Sequence, residues 1–141
     1  VIRRRAANIN GNHTAIVVCY EVKGEPAPQG SKRYLGNGVM VESSKKVKPW
    51  REAIVWQVKP ERMIEGPVSI AIAFSLAKPK SAKRVFPTVK PDLDKLIRST
   101  LDGLKTAGVY RDDCQVVKVE ALKLYTKDQE LAGATIRVVE L

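Results

Sequence analysis

The sequence predicts a single α+β domain, with two main helices packed on a mixed or mostly antiparallel sheet. Three observations point there. The chain has 141 residues, room for one domain of ordinary size. Hydrophobic residues make up 44% and charged residues 28%, the balance of a folded globular protein. Segments patterned as strands and helices follow in the order β-loop-α-β-loop-α-β-β, and no half of the chain is set apart with a core of its own.

Taken in order, residues 1–14 (VIRRRAANINGNHT) are polar, carry Arg3, Arg4 and Arg5 in succession and show no periodicity. They predict a basic flexible arm ahead of a domain spanning 15–141. The run AIVVCYEVK at 15–23 is rich in β-branched and aromatic residues and predicts a strand. Residues 24–46 are dense in Gly, Pro and Ser, and too long for a simple connection, so they predict a functional loop. A helix is expected over Val47–Lys59, with Pro49 in its first turn and Pro60 stopping it. From Pro67 to Leu76, apolar Val68, Ile70, Ile72, Phe74 and Leu76 alternate with small residues, the period of a strand. Residues 77–91 predict a basic loop. Leu93, Leu96, Ile97, Thr100, Leu101 and Leu104 then fall on one helical stripe, which starts at Pro91-Asp92 and ends at Gly108. Gly103 inside that helix costs about 1 kcal/mol against Ala, which predicts close packing there. Strands over 115–125 and 134–141 complete the reading.

Charge narrows the function classes. Lys and Arg total 25 against 15 Asp and Glu, a net charge of +10. That excess predicts a polyanionic partner, nucleic acid foremost and an anionic membrane surface second. No apolar run approaches the roughly 18–20 residues of a bilayer span, and none has secretory flanks, so a cytoplasmic protein is expected. Cys19 and Cys114 stand far apart without a CxxC pair, and His13 is the lone histidine. A disulfide framework and a Cys/His zinc site are thereby excluded, and both cysteines are expected to pack as small apolar residues. Carboxylates are left as the leading catalytic groups.

Asp92 and Asp94 open the second helix, and Asp113 follows it in Tyr110-Arg111-Asp112-Asp113. Asp94 and Arg98 share a helical face at i, i+4. The three acids converge only if the next strand begins near the N-terminal end of that helix. Converging carboxylates repel unless a cation sits between them, and Mg²⁺ or Mn²⁺ suits all-oxygen ligands beside phosphate. Arg98 would then neutralise charge on the phosphoryl oxygens. The plainer reading is structural: Asp92 as an N-cap worth about 0.5–2 kcal/mol, and Asp112-Asp113 as turn residues. Context favours chemistry, because Lys78, Lys80, Lys83, Arg84, Lys90, Lys95 and Arg98 surround Asp92 and Asp94.

The segment KPDLDKLIRSTLDGLKTAGVYRDDCQVV, residues 90–117, resembles the signature of the RusA family of Holliday-junction resolvases. The resemblance rests on the D-x-D start, the Asp102-x-Leu104 step on the same helix and the D-D-x-Q-V that opens a strand. Pro28, Gly30, Lys32 and Arg33, and a Trp50-bearing helix, agree more loosely. It implies a small homodimeric, Mg²⁺-dependent endodeoxyribonuclease with no organic cofactor. Asp92, Asp94 and Asp113 would be its metal-binding catalytic carboxylates, and Asp102 and Asp112 would support them. The family's usual Lys is Arg98 here, and its Asn after the second Asp is Lys95; exchanging an ammonium for a planar guanidinium is not a neutral change.

A two-fold dimer meets the need for two symmetric nicks across a four-way junction. Lys32, Arg33, Lys78, Lys80, Lys83, Arg84, Lys90 and Lys95 are the expected DNA contacts. Trp50 and Trp56 are read as core or dimer packing, and His13 as a bystander. A non-catalytic basic DNA- or RNA-binding module and a nuclease preferring flaps or forks are the competing readings.

Overall fold

Why the 68–77 segment alternates is plain in the computed structural model, which describes residues 2–7, 14–30, 32–42 and 45–141. It forms β5 (Val68–Ala77), whose Val68, Ile70, Ile72 and Phe74 are buried, while the small residues between them face away. Around it lie β1 (Ile2–Ala7), β2 (Thr14–Lys23), β6 (Val116–Thr126) and β7 (Gly133–Glu140), giving one five-stranded sheet in the order β1-β2-β7-β5-β6. All pairs are antiparallel except β5 with β6, which is parallel.

A parallel pair needs a crossover. That crossover is α2 (Leu93–Thr106), and α1 (Val47–Gln57) packs beside it. The core lies between the helices and one face of the sheet: Trp50 and Ile54 of α1 and Leu96 and Leu104 of α2 are fully buried with Phe74 and Ile136. Trp50 donates its indole N–H to Thr100 Oγ1 at 3.1 Å, so the one polar atom of that buried ring is satisfied. Trp56, by contrast, is 76% exposed, with the Lys59 ammonium over its ring, and is not core. The fold is the α+β arrangement expected. Among the described residues, no helix is long and apolar enough to cross a membrane.

Three expectations change. Ile2–Ala7 pairs with β2 as an edge strand instead of staying outside the sheet. Residues 8–13, with His13, lie outside the described residues. The long loop contains a hairpin, β3 (Lys32–Gly36) and β4 (Val39–Glu42), turning at Asn37-Gly38 with both residues at positive φ. Asn-Gly is the residue pair that such a two-residue turn selects, so the signal was present in the sequence. Cys114 is exposed and does not pack as a core residue; Cys19 is half-buried.

Gly103 meets its expectation. A Cβ there would lie 2.7 Å from Ile54 Cδ1 and 3.2 Å from Ile54 Cβ, the latter fixed to the backbone of α1. Alanine would gain about 1 kcal/mol of helix propensity, but overpacking costs typically 1–3 kcal/mol. Gly103→Ala is therefore expected to lower stability by up to about 2 kcal/mol net. Urea unfolding at constant m-value measures this, and an unchanged or higher midpoint contradicts the packing.

Candidate active site and nucleic-acid interface

Lys123, late in β6, donates to the carbonyls of Val89 and Pro91, both at 3.0 Å, just ahead of α2. Tyr110, ahead of β6, donates its hydroxyl to Leu101 O at 2.7 Å, past the middle of α2. The helix thus runs against β6, and the strand begins beside the C-terminal half of α2, not the N-terminal end that convergence required. Asp92 and Asp94 sit at one end, Asp113 toward the other. Eight residues separate Asp94 from Asp102, about 12 Å along a helix axis. Among the described residues, no group of three or more His, Cys, Asp or Glu side chains is placed to share a metal ion.

At the N-terminal end, Asp92 holds the cap position with extended backbone, but its side chain makes no capping bond. The structural role that would explain it is therefore not filled. Its carboxylate instead lies 3.5 Å from Lys95 Nζ. Asp94 is exposed in the first turn. Asp92, Lys90 and Lys95, with Lys46 and Glu25 opposite, line a groove of about 430 Å³. Arg98 follows Asp94 by one turn and is also exposed.

A strap formed by residues 27–30 crosses this face. Ser99 donates to Ala27 O at 2.6 Å, the Gln29 N–H donates to Lys95 O at 3.0 Å, and Gln29 Nε2 donates to Asp102 Oδ2 at 2.6 Å. Gly30 lets the Arg98 guanidinium lie against it, because a Cβ there would be 2.7 Å from Nη1. Asp94, Arg98 and Asp102 therefore form one row at i, i+4 and i+8, with the strap over its centre.

Asp113 lies against that row. Burial, and then the Asp102 carboxylate alongside, push its pKa up to about 6, against the opposing pull of Tyr110 and Lys105. Burial and the same carboxylates push the Tyr110 phenol upward, so it stays protonated as a donor. Asp112 does the structural work of the turn: it forms a capping box with Gln115, and Lys105 holds its carboxyl below the usual range. Asp113 Oδ1 and Gln29 Oε1 are both buried and without a hydrogen-bond partner. Two orphan oxygens with Asp102 nearby make a donor set for a hard divalent cation, which takes one or two carboxylates and fills its other positions with water or phosphate. The residues at this end fit such an ion.

The basic residues spread around the same region. Lys78, Lys80, Lys83, Arg84 and Lys90 are exposed on the loop before α2. Arg84 is held by Tyr125, donating from Nε to its hydroxyl at 2.9 Å, with the guanidinium over the ring. Lys32 and Arg33 fall on β3. Sequence reasoning passed over Gln29, Lys46 and Lys123. Gln29 had one usable sign, a polar residue between Pro28 and Gly30 where a chain can lie close to a helix; the two lysines had none beyond their charge.

A family described as Endodeoxyribonuclease RusA matches residues 23–138. A Bacillus subtilis (strain 168) protein described as uncharacterized protein YqaN is 31% identical over 126 residues, covering 77% of this chain and 88% of that protein. A chain of the HypE-HypF complex crystal structure is 18% identical with a TM-score of 0.35, over 95% of this chain and 34% of that one. The chain thus spans about a third of that structure's length, and the likeness is too slight to carry an argument.

The raised Asp113 carboxyl has a consequence for the metal-free protein. Folded Asp113 holds its proton more tightly than the unfolded chain does, so the stability that proton confers is complete below the ordinary carboxylate range. It is lost as pH rises through about 6. Asp113→Asn removes that loss and is expected to raise the melting temperature by roughly 3 °C at pH ~7.5, about 1 kcal/mol after allowance for screening. The advantage shrinks toward pH ~4. Differential scanning calorimetry in EDTA checks this; an Asn variant no more stable at the higher pH contradicts it.

Proposed function

From the premise that the chain belongs to the RusA endodeoxyribonuclease family, we propose that it resolves Holliday junctions by paired, symmetric, Mg²⁺-dependent nicks. On this reading Mn²⁺ substitutes for Mg²⁺, the active form is a homodimer, and the enzyme serves DNA recombination and repair in the cytoplasm of a bacterial or phage-infected cell. The observation that carries it is the Asp94-Arg98-Asp102 row with Asp113 against it, set in a basic surface.

Asp113, with its unpartnered oxygen, is the proposed metal-binding carboxylate, with Asp102 beside it; Asp92 and Asp94, at the other end of α2, are proposed to serve catalysis without sharing that ion. A bound divalent ion supplies Lewis acidity toward the scissile phosphate and acidifies a water. The chain's own residues do the rest. Arg98, exposed on α2 with its guanidinium lying against Gly30, faces developing phosphoryl charge with a planar pair of donors. Gln29 keeps the Asp102 carboxylate in place through its amide N–H. Lys78, Lys80, Lys83, Arg84, Lys90 and Lys95, together with Lys32 and Arg33, neutralise the phosphates of the arms and make binding fall with salt.

Cleavage of a synthetic four-way junction in Mg²⁺ tests the proposal. Parent protein is expected to give two symmetric nicks. Asp94→Asn and Asp113→Asn are expected to lose at least about 100-fold in rate, a loss of the size seen when a single charge-stabilising group is removed from a reacting centre, while junction affinity stays within about threefold. Binding by all three proteins with cutting by none of them, the parent included, supports a non-catalytic module instead, and faster cutting of flaps or forks than junctions supports the other nuclease reading.

A further inference from the structure

The loop from Lys78 to Pro91 contains no acid, yet its tip is apolar: Val85 is 78% exposed and Phe86 57%. Two large hydrophobic side chains in water, in the most basic stretch of the chain, need an occupant. They are not on a loose segment. On one side Lys78 N–H donates to Thr126 O at 3.0 Å, Ala82 N–H donates to Pro79 O at 3.0 Å, and Arg84 is clamped to Tyr125. Lys78 Nζ also lies 5.9 Å from the centre of that ring, so two cations flank it. On the other side Pro87 is buried, Thr88 N–H donates to Phe86 O at 2.9 Å, and Lys123 ties the carbonyls of Val89 and Pro91 to the sheet. The tip is braced from both flanks and held outward.

Charge decides between occupants. Lys78, Lys80, Lys83, Arg84 and Lys90 around the tip call for a polyanion that also offers apolar faces. Linear duplex DNA offers phosphates but keeps its base faces stacked inside. A branch point exposes the faces of the base pairs that end there. Six positions separate Phe86 from Asp92, so the tip lies no more than about 20 Å from the acid that opens α2.

We propose that Phe86, supported by Val85, is an apolar wedge that packs on exposed base-pair faces at the branch point and thereby sets the preference for branched over linear DNA. This rests on the junction reading above. Phe86 is a specificity residue here and takes no part in the chemistry.

The test is binding without cleavage, in EDTA, to a four-way junction and to a linear duplex of the same arm sequence. Parent, Phe86→Ala and Phe86→Trp are compared, with 2-aminopurine placed at the branch. Aromatic stacking on a base is worth about 1–3 kcal/mol, so Phe86→Ala is expected to lower the junction-to-duplex affinity ratio about 5- to 150-fold. Duplex affinity stays within about twofold, since phosphate contacts are intact. The 2-aminopurine signal change is lost with Ala and retained with Trp. A Phe86→Ala protein that keeps the parent's ratio overturns the wedge while leaving the junction reading in place. A parent that binds junction and duplex equally overturns both. If Phe86→Ala instead alters sedimentation or binding to phosphatidylglycerol vesicles, with the DNA ratio unchanged, the tip serves a second copy or a membrane surface and the wedge is likewise overturned.

Discussion

Parallel pairing of β5 with β6 is the constraint on which the rest of the molecule depends. Strands that run the same way cannot be joined by a hairpin, so the chain must return across the sheet, and α2 is that return. The return separates the ends of the helix. One end receives the basic loop and Asp92; the other receives the turn that carries Asp113. Between them, the inner side of α2 is locked to α1 by Gly103 against Ile54 and by Trp50 on Thr100, which leaves the row of Asp94, Arg98 and Asp102 on the outside. The strap at 27–30 then holds Asp102 through Gln29, with the Arg98 guanidinium lying against Gly30.

The electrostatic consequence is a small acidic row within a positive surface. Burial and Asp102 hold Asp113 partly protonated near neutral pH when no cation is present. On the proposed reading, a proton and a divalent ion compete for the same oxygen, and phosphate ligands favour the ion. Lys105 and Arg111 are engaged by Asp112 and Glu65 on the far side of the turn, and their charge goes largely to holding that turn.

How much of this was legible in the sequence follows from which interactions are local. The α2 stripe and the β5 alternation were readable because one buried face repeats at a fixed period. Pro60 and Gly108 marked helix ends for local backbone reasons; α1 stops at Gln57, two residues short of the expected boundary. The hairpin at Asn37-Gly38 was legible too, but it was submerged in a stretch rich in turn-forming residues. Strand β1 was hidden for the opposite reason: three successive arginines mask any alternation, and the partner that orders Ile2–Ala7 comes later in the chain. The acids could be singled out as candidates from their basic surroundings and the motif they sit in. Their separation along α2 could not, because the direction of the helix against β6 is set by strand pairing far away in sequence. Gln29 stands 73 positions from Asp102, and no local pattern announces such a contact.

Manganese binding tests the central claim most directly, namely that the Asp113 end of α2 holds a catalytic divalent ion. Titration followed by electron paramagnetic resonance counts bound Mn²⁺ per chain without any DNA present. The parent is expected to bind it with Asp113 as ligand, and Asp113→Asn to lose at least about tenfold in affinity, since about 10- to 100-fold is lost even when a group that only hydrogen-bonds a ligand is removed. Equal binding by the two proteins would contradict the account.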